Sequence, residues 1–231
     1  DARVVAERVE IPSPAGHGKV RSYFVRPAAA KGRLPGVLVI HENRGLNPHI
    51  EDVARRFALA GFAALAPDAL TSLGGYPGDE DSARALFQKL DADKSRADFV
   101  AAFEWLQKCE ATTGRVGGIG GIGAVGFCWG GGMVNWLATQ RADLGAGVAF
   151  YGSSAETAEV AKIRAPLLIQ SAETDPRINE SWPAFEAALQ AAGVDRERHL
   201  YPGTQHGFHN DTTPRYDAAA AKLAWERTVS F

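Results

Sequence analysis

Short apolar runs alternate with amphipathic segments along most of the chain. Val37–Ile40 is an unbroken apolar run, which is typical of a strand that is buried on both faces. From Ile50 apolar residues recur at helical spacing until Gly61, which suits a helix C-terminus. Two strands, VVAERVEI and VRSYFVRP, are predicted before this alternation begins, and further buried strands are predicted at FAALAP, AVGF, GAGVAFYG and APLLIQS.

The remaining periodic segments predict helices between the strands. They are Ser82–Leu90, Ser95–Cys109, GGMVNWLATQ, WPAFEAALQAAG and PRYDAAAAKLAWERTVSF, with a strand at RERHLYPG. Parallel strands need crossover connections, and right-handed crossovers place helices on both faces of a sheet. The sequence therefore predicts an α/β fold, a three-layer α/β/α sandwich around a mostly parallel sheet, in one domain over residues 1–231. In such sheets ligands bind beyond the carboxyl ends of the strands.

Composition and charge narrow the classes of partner. The chain is 45% hydrophobic and 23% charged, and its formal net charge is −2, so we expect a soluble globular protein that binds neither nucleic acid nor membrane. No apolar run reaches the roughly 18 residues of a membrane helix. We expect a monomer or weak homodimer. Because the chain starts at Asp1, we expect a processed or trimmed N-terminus, and the sequence does not distinguish cytoplasm from periplasm.

The glycine-rich stretch RVGGIGGIGAVGFCWGGG contains two competing motifs. Gly118 to Gly123 has the G-x-G-x-x-G spacing of a dinucleotide-binding loop. That motif should open a helix and precede an acidic residue by about 20 positions, but here another strand follows. The glycines are therefore better interpreted as a widened loop, and a nicotinamide oxidoreductase is the disfavoured alternative.

The second motif places Cys128 in a nucleophile elbow. Gly126-Phe-Cys128-Trp-Gly130 lies between a buried strand and a helix, and glycines at these positions remove Cβ atoms that would obstruct a sharp turn. The N-terminus of the helix would favour a thiolate and an oxyanion. The alternative is a buried structural cysteine. The other cysteine, Cys109, lies late in a predicted surface helix, and we expect both thiols to be free.

Two later loops supply candidate partners in the order nucleophile, acid, histidine, which is the order of α/β-hydrolases. LLIQSAETDPRIN ends a strand with Glu173 and Asp175, and HLYPGTQHGFHND ends another with His206. Asp175 is the preferred acid, and Glu173 is the alternative. His209 and Asp211 could form a metal corner with His206, but a third spaced ligand is missing from the pattern, so we expect no metal.

Four segments resemble the dienelactone hydrolase family, also called carboxymethylenebutenolidases, of the α/β-hydrolase superfamily. They are HENRGLNPHIEDVARRFALAGFAALAPDAL, GFCWGG, AETDPRIN and YPGTQHGFHND. The resemblance covers nearly the whole chain and implies a cofactor-free hydrolase of small esters or lactones. It implies that Cys128 is the nucleophile, that Asp175 and His206 complete a triad, and that Glu42 contacts the resting cysteine.

The same resemblance implies an oxyanion hole made by the backbone N–H groups of Asn43 and Trp129. The thiolate would attack the ester carbonyl, and water would then hydrolyse a thioester, with His206 as general base. A protein of this fold that binds a small ligand without turning it over is the alternative, which an intact triad argues against.

The substrate-binding positions depart from the family pattern. Well-known members hold the substrate carboxylate with two arginines, and the aligned positions here are Glu80 and Asn210. GIGGIG resembles an insertion relative to family members and has no assigned role. Because neither aligned position is an arginine, we expect neutral esters to be preferred over carboxylates. The candidate substrate-binding residues are Arg44, Arg84, Tyr76 and Phe208.

Overall fold

The computed structural model describes residues 1–116 and 119–231, which form two compact units, Asp1–Gly123 and Ala124–Phe231. The first unit contains strands β1 (Val4–Ser13), β2 (Gly18–Pro27), β3 (Gly36–Ile40), β4 (Ala63–Pro67), β5 (Arg115–Val116) and β6 (Ile119–Gly120), and helices α1 (Pro48–Leu59), α2 (Glu80–Phe87) and α3 (Ala92–Lys108). A 3-10 helix spans Ala69–Leu73. That both units form one domain stays a prediction.

The strands of the first unit run in the order β1-β2-β4-β3. β1 and β2 are antiparallel, β2 and β4 are antiparallel, and β3 and β4 are parallel. Helix α1 is the crossover between β3 and β4, and both α1 and α3 pack against this sheet. Every residue of β3 and β4 is buried, which confirms the interpretation of their apolar runs.

Asparagine and aspartate side chains set the starts of the helices in the first unit. Asn47 accepts a hydrogen bond from the Ile50 N–H at the start of α1. Asp79 caps α2 and Asp91 caps α3 in the same way. The sequence-based starts of α2 and α3 were two and three residues too late, because the prediction followed the apolar stripe and overlooked these caps.

The second unit contains four neighbouring strands in the order β7 (Gly123–Phe127), β8 (Ala146–Phe150), β9 (Leu167–Ala172) and β10 (Arg196–Tyr201), and the first residue of β7 is the last residue of the first unit. β8, β9 and β10 are parallel, and all residues of β7, β8 and β9 are buried. The helices are α4 (Trp129–Gln140), α5 (Pro176–Asn179), α6 (Trp182–Ala191) and α7 (Ala218–Ser230), and a 3-10 helix spans Thr157–Lys162.

The closing helix is shorter than the sequence prediction, which began it at Pro214. Instead α7 begins at Ala218, because the Asp217 side chain accepts from the Ala220 N–H and thereby caps the helix. The preceding residues form turns in which the Tyr216 N–H donates to the Thr213 carbonyl.

The predicted dinucleotide loop, Gly118 to Gly123, lies partly outside the described residues, which omit 117 and 118. In the described remainder, β5 and β6 pair antiparallel, and the chain then enters β7 rather than a helix. Within the described ranges, no helix is long and apolar enough to cross a membrane.

The turn from β7 to α4 carries Cys128 and depends on close backbone approaches. Cys128 has φ 57° and ψ −116°, and its carbonyl accepts from the N–H groups of Gly131 and Gly132 at 3.0 and 3.2 Å. A Cβ at Gly126 would lie 2.0 Å from the Gly130 carbonyl oxygen, and one at Gly152 would lie 2.3 Å from the Gly131 carbonyl carbon. Only glycine fits at 126 and 152 without moving backbone.

This geometry predicts a large stability loss for Gly126→Ala. The added methyl group would push against backbone rather than a movable side chain, so we expect a loss of about 3 kcal/mol or more in the free energy of unfolding. Gly193→Ala is the matched control, because Gly193 has φ 67° and open space around it, so only backbone strain of about 1–2 kcal/mol applies. Urea unfolding measures both, and equal losses would contradict the steric argument.

Candidate active site

Four residues follow the carboxyl ends of the four neighbouring strands in the second unit. Cys128 follows β7, Tyr151 follows β8, Asp175 lies three residues after β9, and His206 lies five residues after β10. Ligands of open α/β sheets bind at this edge. Three of the four are the residues predicted as a triad, whereas sequence reasoning missed Tyr151, whose only signal was its position directly after a buried strand.

Asp175 and His206 form a direct hydrogen bond. The imidazole Nδ1 of His206 donates to Oδ2 of Asp175 at 2.5 Å, and Asp175 is 5% exposed. Glu173, the alternative acid, is exposed and accepts from the Gly203 N–H at 2.7 Å. Asp175 is therefore the carboxylate that contacts the histidine, and the bond leaves Nε2 as the nitrogen that can accept a proton.

The surroundings of His206 favour its neutral form. Burial is the largest influence and lowers the pKa below the ordinary value of 6.5. The hydrogen bond and charge of Asp175 raise the pKa and so oppose the effect of burial, whereas Arg177 and Arg215 lower the pKa further. A histidine whose pKa is lowered is unprotonated at neutral pH, which is the form that a general base requires.

His209 and Phe208 belong to the core. Phe208 is fully buried and packs against Tyr151 and Tyr201, with ring centroids 5.6 and 4.9 Å apart. A role of Phe208 in substrate binding stays a prediction. His209 is 2% exposed and stacks on Phe127 at 5.2 Å. Within the described part of the chain, no group of three or more His, Cys, Asp or Glu side chains is arranged to hold a metal ion.

In the first unit, His41 anchors the loop that carries Glu42 and Asn43. Its Nδ1 donates to the Glu42 carbonyl at 2.5 Å, and its Nε2 accepts from the Ala69 N–H at 3.1 Å. Burial, the largest influence, lowers the pKa of His41, with the Asp68 charge opposing it. The imidazole is thus a neutral tether between the end of β3 and the 3-10 helix. The roles of Glu42, Asn43 and Trp129 towards the cysteine stay predictions.

Glu80 is the centre of a polar cluster, here called the Glu80 cluster, formed with Arg44, Asn47 and Tyr76. The Tyr76 hydroxyl donates to Glu80 at 2.9 Å, the Asn47 amide donates at 3.1 Å, and Nε of Arg44 lies 3.7 Å away. Burial and Glu80 raise the pKa of Tyr76 to about 12. Arg84, by contrast, is exposed on α2. Sequence reasoning missed Asn47, because no motif in the sequence marks it as a partner of Glu80.

The family model of the dienelactone hydrolase family matches residues 20–231. A protein of Escherichia coli (strain K12), provisionally named carboxymethylenebutenolidase, is 32% identical to this chain over 243 residues, which cover 100% of this chain and 88% of that protein.

Solved structures agree with this relationship. A Klebsiella pneumoniae protein provisionally named dienelactone hydrolase is 27% identical, with a TM-score of 0.84 over 98% of this chain and 97% of that chain. A dienelactone hydrolase-like promiscuous phosphotriesterase from metagenomic libraries is also 27% identical, with a TM-score of 0.83 over 99% and 97% of the two chains. These likenesses confirm the predicted fold, a mostly parallel sheet with flanking helices. The chain has an α/β-hydrolase fold and belongs to the dienelactone hydrolase family.

Proposed function

We propose that this chain hydrolyses small carboxylic esters or lactones, with Cys128 as nucleophile and His206 as general base. The observation that carries the proposal is the 2.5 Å hydrogen bond from His206 to the buried Asp175, in the same unit as a cysteine on a strained turn. A nucleophile, a base and a group that orients the base are the parts that covalent hydrolysis needs.

The reaction follows from these positions. A free cysteine thiol has a pKa of about 8.5, so it needs a proton acceptor at neutral pH. Nε2 of His206 takes the thiol proton while the sulfur of Cys128 bonds to the ester carbonyl carbon, whose oxygen becomes an oxyanion. Collapse breaks the ester C–O bond, the alcohol leaves with the proton from His206, and a thioester remains. Water, deprotonated by His206, then releases the carboxylic acid and restores the thiol.

Stabilisation of the oxyanion is assigned to the backbone N–H groups of Asn43 and Trp129. Each such donor is typically worth roughly 3–4 kcal/mol in the transition state. Trp129 begins α4, so its N–H is at the positive end of the helix dipole. Glu42 is assigned the role of keeping the resting cysteine neutral until substrate arrives. Support for the roles of Asn43 and Glu42 comes from the family resemblance and from their adjacent positions on the loop anchored by His41.

We expect acyl groups on Cys128 during turnover. An activated phenyl ester, quenched during hydrolysis and mapped by peptide mass, should label Cys128, and Cys128→Ala should lose at least about 10³-fold in kcat because the covalent route is closed. Cys109→Ser is the control, since Cys109 ends α3, and it should keep activity. Full activity in Cys128→Ala would exclude the mechanism. Binding without any turnover by the unmodified protein would support the non-catalytic alternative.

The pH dependence of kcat/KM should report His206. The base must be neutral, and its pKa is lowered by burial, so activity should persist below the ordinary histidine value and the midpoint of its acid limb should lie below about 6.5. Asp175 raises this pKa and Arg215 lowers it. Asp175→Asn should therefore move the midpoint down and reduce kcat, whereas Arg215→Gln should move it up. A midpoint above the ordinary value, or no response to either variant, would contradict this assignment.

The Glu80 cluster supports a preference for neutral esters. A guanidinium, a phenol and an amide are donors that could hold a substrate carboxylate, but Glu80 already accepts from Tyr76 and Asn47 and pairs with Arg44. Its charge would also repel an anion. At the other aligned position, Asn210 is 3% exposed, and its amide oxygen accepts from a neighbouring threonine N–H and hydroxyl. Neither position provides a free cation.

A matched substrate pair tests this preference. We expect the methyl ester to exceed the corresponding free-carboxylate ester in kcat/KM. Glu80→Gln removes the internal anion while keeping the shape, so it should shift the ratio towards the carboxylate by about tenfold, a change of about 1.4 kcal/mol. Arg84→Ala is the control and should leave the ratio unchanged. A preference of the unmodified protein for the carboxylate that disappears in Arg84→Ala would refute the proposed role of Glu80.

A further inference from the structure

Tyr151 holds an unusual backbone conformation directly after β8. Its φ is 36°, and Cys128 is the other non-glycine residue with positive φ among those described. An L-residue pays about 1–2 kcal/mol for this conformation, and glycine would adopt it without that cost. A bulky residue in such a conformation at a functional edge is grounds for asking what its side chain contributes.

The backbone turns here because the next residue approaches the nucleophile turn. A Cβ at Gly152 would lie 2.3 Å from the Gly131 carbonyl carbon and 2.4 Å from the Gly132 nitrogen. On the opposite side, the Tyr151 N–H donates to the Gln170 carbonyl of β9 at 2.8 Å. The backbone of Tyr151 is therefore fixed between β9 and the start of α4, which fixes the direction of its side chain.

That side chain lies against the candidate base. Tyr151 is 1% exposed, and its ring centroid lies 5.0 Å from that of His206, with an interplanar angle of 56°. The same ring lies 6.5 Å from Phe127, the residue before Cys128. The aromatic ring of Tyr151 is thus in contact with His206 and lies near Phe127, the last residue of the strand that precedes Cys128.

A second contact is needed to orient the imidazole fully. The hydrogen bond to Asp175 fixes Nδ1 of His206, but the ring can still rotate about that bond unless another group packs against it. Displacements of about 1 Å in reacting groups can cost about 10²-fold in rate. The buried ring of Tyr151, which packs against the imidazole at an angle of 56°, limits such rotation.

We propose that Tyr151 is a positioning residue whose aromatic ring holds the His206 imidazole in the orientation that directs Nε2 towards the Cys128 thiol. The inference rests on the proposed function, because it assumes that His206 is the base for Cys128. The strained backbone at position 151 is the cost of placing a ring, rather than a glycine, at this point. The role belongs to the aromatic ring, which makes the contact with His206.

The test compares variants that keep or remove the ring. Tyr151→Phe should keep kcat/KM for a phenyl ester within about twofold. Tyr151→Leu and the unbranched Tyr151→Met should each lose at least about tenfold, mostly in kcat, because binding is left intact and orientation is lost. Phe185→Leu is the matched control, since Phe185 is equally buried in the same unit but packs on Trp182 in α6. It should lose stability and keep the kcat of the unmodified protein.

The pH profile adds a readout that a structural defect alone would not move. Burial, Arg177 and Arg215 lower the pKa of His206, whereas Asp175 raises it. Removing the ring exposes His206 and weakens the effect of burial, so the acid limb of Tyr151→Leu or Tyr151→Met should move to higher pH. Phe185→Leu should leave the midpoint in place. If neither aliphatic variant changes kcat or the midpoint, or if Tyr151→Phe is as damaging as Tyr151→Leu, the proposal is wrong.

Failure of this inference can be told apart from failure of the proposed function. Acylation of Cys128 is followed in the same preparations by mass. Labelled Cys128 in the unmodified protein with unaltered acylation rates in Tyr151→Leu and Tyr151→Met would overturn only the role of Tyr151. No acyl-cysteine in the unmodified protein, together with an active Cys128→Ala, would overturn both.

Discussion

The structure of the candidate site depends on backbone segments that approach more closely than any side chain permits. At the end of β7 the chain passes through Cys128 directly into α4, and Gly126 lies against the Gly130 carbonyl. At the end of β8, Gly152 likewise lies against the backbone of Gly131, with no room for a Cβ atom. These contacts determine where α4 begins and therefore where the thiol of Cys128 projects. They also explain the positive φ angles of Cys128 and Tyr151, because the closely packed backbone around these two residues cannot move to relieve the strain.

The chemistry assigned to His206 arises from opposing influences on one imidazole. Burial lowers its pKa, and the hydrogen bond to Asp175 raises it, so the histidine remains neutral while its tautomer is fixed. A more exposed histidine would be oriented less firmly, and a buried one without Asp175 would lose both the fixed tautomer and the charge that stabilises the protonated form. Asp175 and burial are therefore complementary requirements for a base.

The sequence predicted most of the buried strands and the strand–turn–helix arrangement around Cys128, because apolar runs and glycine spacing are local signals. It favoured Asp175 over Glu173 without excluding Glu173, since both lie in one loop and only the fold shows which of them contacts His206. The burial of Phe208 was not predictable for a related reason: a loop position in the sequence does not indicate burial. The pairing of Arg44 with Glu80 joins residues 36 positions apart, so charge pattern alone left Arg44 as a possible substrate ligand.

Stability and reactivity share the same aromatic core in the second unit. Phe127, Phe150, Tyr151 and Phe208 are buried, and the ring of Phe150 contacts the other three. Aromatic pairs of this kind contribute about 0.5–1.5 kcal/mol each beyond burial. That gain is comparable to the roughly 1–3 kcal/mol that each strained residue costs. The core can therefore hold Cys128 and Tyr151 in conformations that neither would adopt alone. The strained backbone conformations persist only while this aromatic packing is intact. The geometry of the site is therefore as sensitive to substitutions in the aromatic core as to changes in the reacting residues.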